Sequence, residues 1–393
     1  MHFVEDLDVK GKTVFVRVDF NVPLTAKGEI RNDTRIRASL PTINYLLGKR
    51  AKLVLASHLG RPKGKFDPKM SLKPVAKRLG ELIGRDVIMA PDIVGEEVNN
   101  LKSGLKESDV LLLENVRFQA GETANDPEFS KKLAEGIDYF INDAFGSSHR
   151  AHASVVGITD YVKKTAAGYL MKKEVEYLRK ALFSPAKPYV AILGGAKVED
   201  KIPVIENLLN KADTILIGGA MAYTFFKAQG LGTGKSLVEP DKLEIAQNIL
   251  ARAKDKNVLF LLPLDNVLAA SIESGQVAQI ADSFPFPQEL MGVDIGPKTV
   301  ARYAEIIAEA KTIVWNGPLG VFETPAFARG TIEIAQAVAA SGAISIVGGG
   351  DSIAALEKAG VSQKITHIST GGGASLEFLA NETLPGIEAL EKK

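Results

Sequence analysis

Arginines follow the apolar runs in the first half of the chain, where a parallel sheet would bind an anion. Ten of the fourteen arginines lie in residues 1–150. Arginine presents a rigid fork of donors that suits carboxylate and phosphate groups. Because ligands bind outside the carboxyl ends of parallel strands, these residues predict a site for a small acid with two or more negative charges. The polar residues beyond these runs, with one arginine at the start of a helical pattern, are Asp19, Asn21, Arg35, His58, Arg61, Arg117, His149 and Arg150.

Two other interpretations of these residues remain open at this point. Any one of the arginines alone could be an ordinary surface residue, whereas four at equivalent strand ends favour a shared ligand. His149 and His152 suggest a metal site. The chain has no cysteine and offers no third ligand nearby in sequence, so a metal is disfavoured here.

Glycines end the apolar runs of the second half, and two lysines follow the first of these glycine turns. Lys197 and Lys201 come after Gly194 and Gly195. Their i,i+4 spacing predicts two ammonium groups on one face, near the start of a helix. A phosphate chain bound there would also gain free amides and the helix dipole. A solvated lysine pair is the alternative, but the preceding strand and glycines favour phosphate.

Carboxylates and further glycines complete the predicted nucleotide site. Asp351 follows three glycines and is suited to Mg²⁺ that bridges nucleotide phosphates. Glu323 is suited to accept hydrogen bonds from ribose hydroxyls, and the glycines at 371–373 precede another helical pattern. The segment 230–236 looks like a P-loop, but its outer glycines are separated by three residues rather than four. No clean GxGxxG follows the first strand, which disfavours a dinucleotide site.

Length and composition indicate a soluble protein of two domains. The 393 residues exceed one ordinary core, and the net charge of +1 argues against a dedicated nucleic-acid binder. Zero cysteines exclude disulfides, cysteine zinc sites and a cysteine nucleophile. The N-terminus does not read as a signal peptide, and no run reaches the roughly 18 apolar residues of a membrane span. A cytoplasmic protein without nucleic-acid or membrane partners is expected.

Two parallel sheets are needed to position these residues. Continuous apolar runs predict strands and the patterns between them predict helices, so the fold is α/β with two doubly wound, Rossmann-like domains. We predict an N-terminal domain over 1–167, a connecting helix over 168–183 and a C-terminal domain over 184–379, with a cleft between the domains. The tail, 380–393, is expected to pack on the first domain. The predicted strands are 13–19, 52–58, 109–115, 139–143, 189–195, 214–220, 257–265, 311–317 and 343–350, and the clearest helices are 35–50 and 71–84.

Nine longer motifs run in order from the first strand almost to the C-terminus. They are RVDFNVP (17–23), DTRIRASLPTI (33–43), SHLGRPKG (57–64), LLLENVRF (111–118), NDAFGSSHRAHAS (142–154), GGAKVEDK (194–201), WNGPLGVFE (315–323), GGGDS (348–352) and STGGGASLEFL (369–379). Together they resemble the phosphoglycerate kinase family. A set of this extent is far more specific than any single motif.

The resemblance implies a monomeric glycolytic kinase that moves a phosphoryl group between 1,3-bisphosphoglycerate and ADP with Mg²⁺, closing two domains about a hinge. The residues that it implies for the triose are Asp19, Asn21, Arg35, His58, Arg61, Arg117 and Arg150. Those for the nucleotide are Gly195, Lys197, Lys201, Gly219, Gly292, Asn316, Pro318, Glu323, Gly349, Gly350, Asp351 and Ser352, with Asp351 on the metal. Ser352 stands where many members have threonine, and either residue supplies a hydroxyl. Arg35, Lys197, Gly371 and Gly372 are expected to surround the transferring group.

Two functions of other kinds compete with this one. A nicotinamide-dependent dehydrogenase would use one half for its cofactor, but the dinucleotide fingerprint is missing. A two-domain protein could instead close on an anion without chemistry. Such a protein would need neither Lys197 nor Asp351, because it has no second phosphate-chain site and no metal carboxylate.

Overall fold

The computed structural model describes residues 1–392, which form two parallel sheets, one small antiparallel sheet and helices between the strands. The strands are β1 (Thr13–Arg17), β2 (Lys52–Ala56), β3 (Val87–Met89), β4 (Val110–Leu112), β5 (Tyr139–Asn142), β6 (Lys164–Ala167), β7 (Tyr189–Leu193), β8 (Thr214–Ile217), β9 (Leu259–Leu261), β10 (Asn266–Ala269), β11 (Gln279–Ala281), β12 (Met291–Ile295), β13 (Thr312–Asn316), β14 (Ile344–Gly348) and β15 (His367–Ile368). The helices are α1 (Thr34–Gly48), α2 (Lys73–Ile83), α3 (Glu96–Gly104), α4 (Ala120–Thr123), α5 (Pro127–Ala134), α6 (Tyr169–Phe183), α7 (Ile202–Leu208), α8 (Met221–Ala228), α9 (Leu243–Asp255), α10 (Pro297–Glu309), α11 (Arg329–Ala340), α12 (Gly350–Lys358), α13 (Gly373–Asn381) and α14 (Pro385–Glu391).

The first parallel sheet has the strand order β3-β4-β2-β1-β5-β6. Its central strands β1 and β2 are buried along almost their whole length, which explains their unbroken apolar runs. The order reverses between β1 and β5, and this is the position where open α/β sheets bind ligands. The short outer strands β3 and β6 were not predicted. Strand β3 has only three residues, and the sequence KTAA of β6 has little apolar character.

The second parallel sheet has the order β15-β14-β13-β7-β8-β9, and its strand order reverses between β7 and β13. Trp315 on β13 is fully buried in the core of this sheet, together with Tyr303 on α10. The predicted α/β architecture with two doubly wound sheets is confirmed. A third sheet of order β11-β10-β12 is antiparallel and was not predicted. Its strands are short, and β11 has half-exposed side chains.

The chain divides into two compact units. The first contains residues 1–176 and the segment from Thr383 onward, and the second contains Tyr177–Glu382. The division therefore falls inside α6. In the first unit, the amide of Gly386 on α14 donates to the carbonyl of Ser148 at 2.8 Å. Within residues 1–392, no helix combines the length and apolar character needed to cross a bilayer.

Candidate functional site

The predicted anion residues of the first unit lie at one edge of its sheet. The parallel register pairs Arg17 at the end of β1 with Ala56 on β2 and with Asn142 on β5, so these strands end at the same level. Asp19, His58 and the 145–150 segment follow those ends directly. The sheet thus brings together residues that are far apart in the sequence, as expected for ligand binding at the carboxyl ends of strands.

Hydrogen bonds link several of these residues into one network. Nη1 of Arg35 donates to Oδ2 of Asp19 at 2.7 Å, and the amide of Asn21 donates to Oδ1 of Asp19 at 3.2 Å. Oδ1 of Asn21 accepts from the amide of Gly60 at 2.9 Å. The carbonyl of Gly60 accepts from Nη1 of Arg117 at 2.8 Å. The network therefore holds two arginines at defined positions around Asp19 and Asn21.

A fully buried arginine that sequence analysis missed lies beneath this network. Nη2 of Arg17 is 3.2 Å from Nδ1 of His58, and its Nε donates to Oγ of Ser154 at 2.8 Å. Ser154 in turn donates to Glu122 through its hydroxyl at 2.7 Å and through its amide at 2.9 Å. Because the arginine side chain can only donate, Nδ1 of His58 accepts, and this leaves the Nε2 proton for another partner. Arg17 belongs to an apolar run, so its sequence context indicates only a strand.

The same edge of the sheet is strongly electropositive. Burial, assisted by the charges of Arg17 and Arg117, holds the pKa of His58 well below its usual value. The same causes lower the pKa of His152 to about 4. Burial also lowers the pKa of Arg117 to about 10. Both histidines are therefore neutral at pH 7, and an anionic ligand would relieve the repulsion among the arginines.

Two predicted residues stand outside the network. Arg61 is exposed and makes no hydrogen bond or ion pair within residues 1–392. Arg150 is exposed, and its Nε lies 3.1 Å from Nε2 of His149. Nδ1 of His152 lies 3.7 Å from Oε1 of Glu122. In the described part of the chain, no group of three His, Cys, Asp or Glu side chains is placed to hold a metal.

Glycine turns at the switch point of the second sheet surround a polar cavity of about 480 Å³. The amide of Gly194 donates to the carbonyl of Asn316 at 3.0 Å, and that of Gly195 donates to the carbonyl of Pro318 at 2.9 Å. A Cβ on Gly194 would lie 2.1 Å from that Pro318 oxygen, so only glycine permits this approach. The predicted residues that line the polar cavity are Gly195, Lys197, Lys201, Asn316, Pro318, Gly349, Gly350, Asp351, Ser352 and Gly372.

Lys201 is fixed at the wall of this cavity. It is 93% buried, since only 7% of its surface is exposed, and its Nζ donates to Oδ1 of Asn316. Nδ2 of Asn316 donates to the carbonyl of Gly348 at 2.9 Å. Burial lowers the pKa of Lys201 to about 8, against the opposing effect of Asp200 and Asp351. The ammonium form still dominates at neutral pH, so the cavity keeps a positive charge there.

Lys197 is exposed and does not lie on a helix, so the predicted i,i+4 helical pair is wrong. The residues after Gly195 form an irregular turn, a 3₁₀ helix starts only at Glu199, and α7 starts at Ile202. Pro203 follows at the second position of α7, where the proline ring removes no hydrogen bond within the helix. Lys197 and Lys201 nevertheless line the same cavity, because the turn folds back toward β13.

A second cavity, of about 430 Å³, adjoins the first and is mainly apolar. Gly195, Pro318 and Asp351 line both cavities. The predicted residues Gly219, Gly292 and Glu323 line the apolar cavity. No pattern in the sequence indicates its apolar walls, because they come from segments around the unpredicted antiparallel sheet. Those further lining residues include Tyr223, Leu237, Ile272, Met291, Val293 and Val321.

The glycines at 371–373 differ in what they offer to a ligand. Gly372 and Gly373 line the polar cavity at the start of α13, whereas Gly371 is not part of its lining. The amide of Gly371 already donates to Oγ of Ser369 at 3.2 Å. Gly372 has a φ of +54°, a conformation that favours glycine.

The chain is similar to known proteins along almost its entire length. The family described as phosphoglycerate kinase matches residues 4–382. The phosphoglycerate kinase of Acidobacterium capsulatum is 59% identical over 399 aligned positions, and that of Koribacter versatilis is 58% identical over 398, with 99% of each chain covered. The solved structure of phosphoglycerate kinase from Coxiella burnetii is 43% identical, with a TM-score of 0.91 over 99% of this chain and 98% of that one. The structure from Pyrococcus horikoshii is 38% identical, with a TM-score of 0.82 over 100% and 98%.

Proposed function

This chain belongs to the phosphoglycerate kinase family, and we propose on that premise that it transfers a phosphoryl group reversibly from 1,3-bisphosphoglycerate to ADP, giving 3-phosphoglycerate and ATP. It is an enzyme, a glycolytic phosphotransferase. The proposal is carried by the observation that the chain has both kinds of site: one unit has an arginine-rich sheet edge, and the other has a lysine- and glycine-lined cavity. The first suits a doubly charged acid, and the second suits a phosphate chain.

The triose is bound by the network around Asp19. Arg35 and Arg117 are held by hydrogen bonds at defined positions, and His58 has a donor proton on Nε2 because Arg17 occupies its other nitrogen. Arg61 and Arg150 are exposed and complete the site when the ligand is bound. The resemblance to the family supports all of these assignments, together with Asn21.

The nucleotide spans the two adjoining cavities of the second unit. Its phosphates lie in the polar cavity with Lys197, Lys201 and Ser352, and its base lies in the apolar cavity against Gly219 and Gly292. Glu323 accepts hydrogen bonds from the ribose hydroxyls. This placement is supported by Pro318 and Asp351, which line both cavities and so mark where the phosphates join the nucleoside.

Asp351 is the residue that fits Mg²⁺. Its carboxylate is exposed at the first turn of α12, lines both cavities and has no ion-pair partner in the described part of the chain. Mg²⁺ at kinase sites needs only one or two protein carboxylates besides phosphate oxygens and water, so a single aspartate suffices. The ion would neutralise phosphate charge; the chain's own part is to position that carboxylate.

Transfer itself requires positioning and positive charge rather than a covalent intermediate on the protein. An oxygen of the ADP β-phosphate attacks the acyl phosphorus, the bond from phosphorus to the carboxyl oxygen breaks, and the carboxylate leaves. Lys197 and Arg35 flank the transferring group and stabilise the charge on its equatorial oxygens. The amides of Gly371 and Gly372 complete this cradle, for which the Gly371 amide must leave Ser369.

The two sets of residues belong to different units, so the units must close for transfer. The hinge lies in α6 and at Ser369–Thr370. Closure would also exclude water that could hydrolyse the acyl phosphate. We further propose a cytoplasmic monomer without nucleic-acid or membrane partners, in keeping with the net charge of +1.

A coupled assay tests the proposed function. The purified protein is mixed with ATP, Mg²⁺ and 3-phosphoglycerate, and glyceraldehyde-3-phosphate dehydrogenase reports 1,3-bisphosphoglycerate through NADH oxidation. Turnover that requires both Mg²⁺ and the acid is expected. A folded protein without turnover that still binds both ligands would instead favour the closing anion-binding protein.

A further inference from the structure

A glutamate outside the predicted site holds the backbone of the turn that carries Lys197. Oε2 of Glu239 accepts from the amide of Val198 at 2.5 Å, and the amide of Glu199 is 3.4 Å from the same oxygen. These amides open the 3₁₀ helix at Glu199–Lys201, where backbone donors lack partners within the helix. A carboxylate satisfies such donors better than a neutral group does.

The backbone of Glu239 is itself held in place by α8. Its amide donates to Oγ1 of Thr224 at 3.1 Å, and Thr224 is buried on α8. Leu237, two residues earlier, lines the apolar cavity. The segment that carries Glu239 is therefore part of the same nucleotide site, and the glutamate connects that segment to the turn at 197–199.

The backbone on either side of Lys197 determines where its side chain points. On one side, the amide of Gly195 is bound to the carbonyl of Pro318; on the other, the amide of Val198 is bound to Glu239. Within residues 1–392, no carboxylate lies within ion-pair distance of Lys197, so no side chain aims its ammonium group. Releasing the Val198 amide would remove the hydrogen bond that directly follows Lys197, while the Val198 carbonyl would still accept from the amides of Lys201 and Ile202.

We propose that Glu239 is a positioning residue for phosphoryl transfer, which holds the backbone at 197–199 so that the Lys197 ammonium group stays at the polar cavity. This inference rests on the proposed function of that cavity. It requires the effect of Glu239 on turnover to pass through Lys197. A glutamate that only stabilised the fold would act whether or not the lysine was present.

A double-mutant cycle tests this dependence. Glu239→Ala is expected to lower kcat about tenfold with little change in the KM for 3-phosphoglycerate, whereas in a Lys197→Ala background it should change kcat less than twofold. Glu239→Gln keeps an acceptor oxygen and should restore most of the lost kcat. Glu244→Ala, an exposed carboxylate in the first turn of α9, is the matched control and should retain full kcat. A wild-type kcat in Glu239→Ala would overturn the proposal, as would an equal loss in the Lys197→Ala background.

Hydrogen exchange separates this inference from the proposed function. Without any ligand, the amide hydrogens of residues 196–200 should exchange at least tenfold faster in Glu239→Ala than in the wild type or in the Glu244→Ala control. Unchanged exchange would refute the anchoring role even in an active enzyme. A wild type without turnover would refute the kinase function, while faster exchange in the variant would still establish the anchor.

Discussion

Lys201 donates a hydrogen bond from Nζ to Oδ1 of Asn316, although the two residues are 115 positions apart in the chain. Asn316 ends β13 and also donates to the carbonyl of Gly348 at the end of β14. Because Lys201 follows β7, this pair of bonds ties together three neighbouring strand ends of the second sheet. The positive charge of Lys201 is therefore fixed before any ligand arrives, whereas Lys197 is exposed. We propose that Lys201 binds the phosphate chain and that Lys197 acts in phosphoryl transfer.

Lys197→Ala should lower kcat by about 10² or more and leave both KM values within roughly threefold, because we propose that its charge acts mainly in the transition state. Steady-state kinetics in the coupled assay measure this. Lys227→Ala, an exposed lysine on α8, provides the control. An unchanged kcat would remove Lys197 from the mechanism.

Arg61→Ala should chiefly raise the KM for 3-phosphoglycerate, by about tenfold or more, since an exposed arginine contributes a charged hydrogen bond to the ligand. The KM for ATP should stay constant. Arg85→Ala removes another exposed arginine of the same unit, outside the site, and should change neither value. If Arg61→Ala altered only the KM for ATP, the assignment of the two units would be reversed.

Gly292→Ala should weaken nucleotide binding through the wall of the apolar cavity. A Cβ there would lie 1.8 Å from Oη of Tyr223, so the tyrosine must move, at a cost of about 1–3 kcal/mol of stability. Calorimetric titration with ADP should show weaker binding, and Tyr223→Phe in the same chain should not restore it, because the ring carbon Cζ would still lie 2.1 Å from the added Cβ. Gly104→Ala meets no atom within 4 Å and should bind ADP like the wild type.

Asp143→Asn should change how stability depends on pH. Burial raises the pKa of Asp143 to about 7, from an ordinary value of 3.8, while the amides of Leu170 and Met171 donate to its Oδ1 at 2.9 and 3.3 Å. Between pH 3.8 and about 7, the folded state therefore keeps a proton on Asp143 that the unfolded state has lost. The Asp143 carboxyl makes its whole contribution to the free energy of unfolding below pH 3.8, and this contribution is lost as the pH rises toward about 7.

Calorimetric unfolding between pH 4 and pH 8 checks this dependence on Asp143. The melting temperature of Asp143→Asn relative to the wild type should rise across that interval and then level off. Asp160→Asn, at an exposed aspartate of the same unit, should show a constant difference. A constant difference for Asp143→Asn as well would show that the buried carboxyl does not titrate there.

Asp351→Asn should raise the Mg²⁺ concentration needed for half-maximal turnover by about tenfold or more, because a neutral amide is a weaker ligand for a hard cation. Mg²⁺ titrations at fixed ATP and 3-phosphoglycerate measure this. Asp200→Asn alters a second carboxylate that lines the polar cavity and should have a smaller effect. Equal effects of the two substitutions would argue against Asp351 as the metal ligand.

The sequence predicted the parts of the fold that carry strong local patterns. Buried parallel strands such as β1 and β13 are continuous apolar runs, and the residues after them are at the sheet edge for a purely geometric reason. Most of the predicted nucleotide residues from Gly195 to Ser352 follow strand ends of the second parallel sheet, whereas Gly292 lies on β12 of the antiparallel sheet. Their roles remain predictions until the variants above are measured.

Other features depend on contacts that no local pattern announces. Arg17 donates to Ser154 and its charge is opposed by that of Glu122, both more than 100 residues later, so its run indicates only a strand. Glu239 is an ordinary glutamate until the fold brings it to Val198. The helical pairing of Lys197 and Lys201 was wrong because periodicity cannot show that the chain makes a turn and a 3₁₀ segment before α7 begins.

Direct transfer between the two ligands is the central claim, and a single-turnover experiment tests it most directly. Enzyme in excess is mixed with γ-³²P-labelled ATP, Mg²⁺ and 3-phosphoglycerate, quenched at millisecond intervals, and separated into nucleotide, triose and protein fractions. We predict that the label passes from ATP to the acyl phosphate of the triose in one phase, with none on the protein, and that Lys197→Ala slows this phase about 10²-fold. Label that appears first on the protein, or that never reaches the triose, would contradict the account.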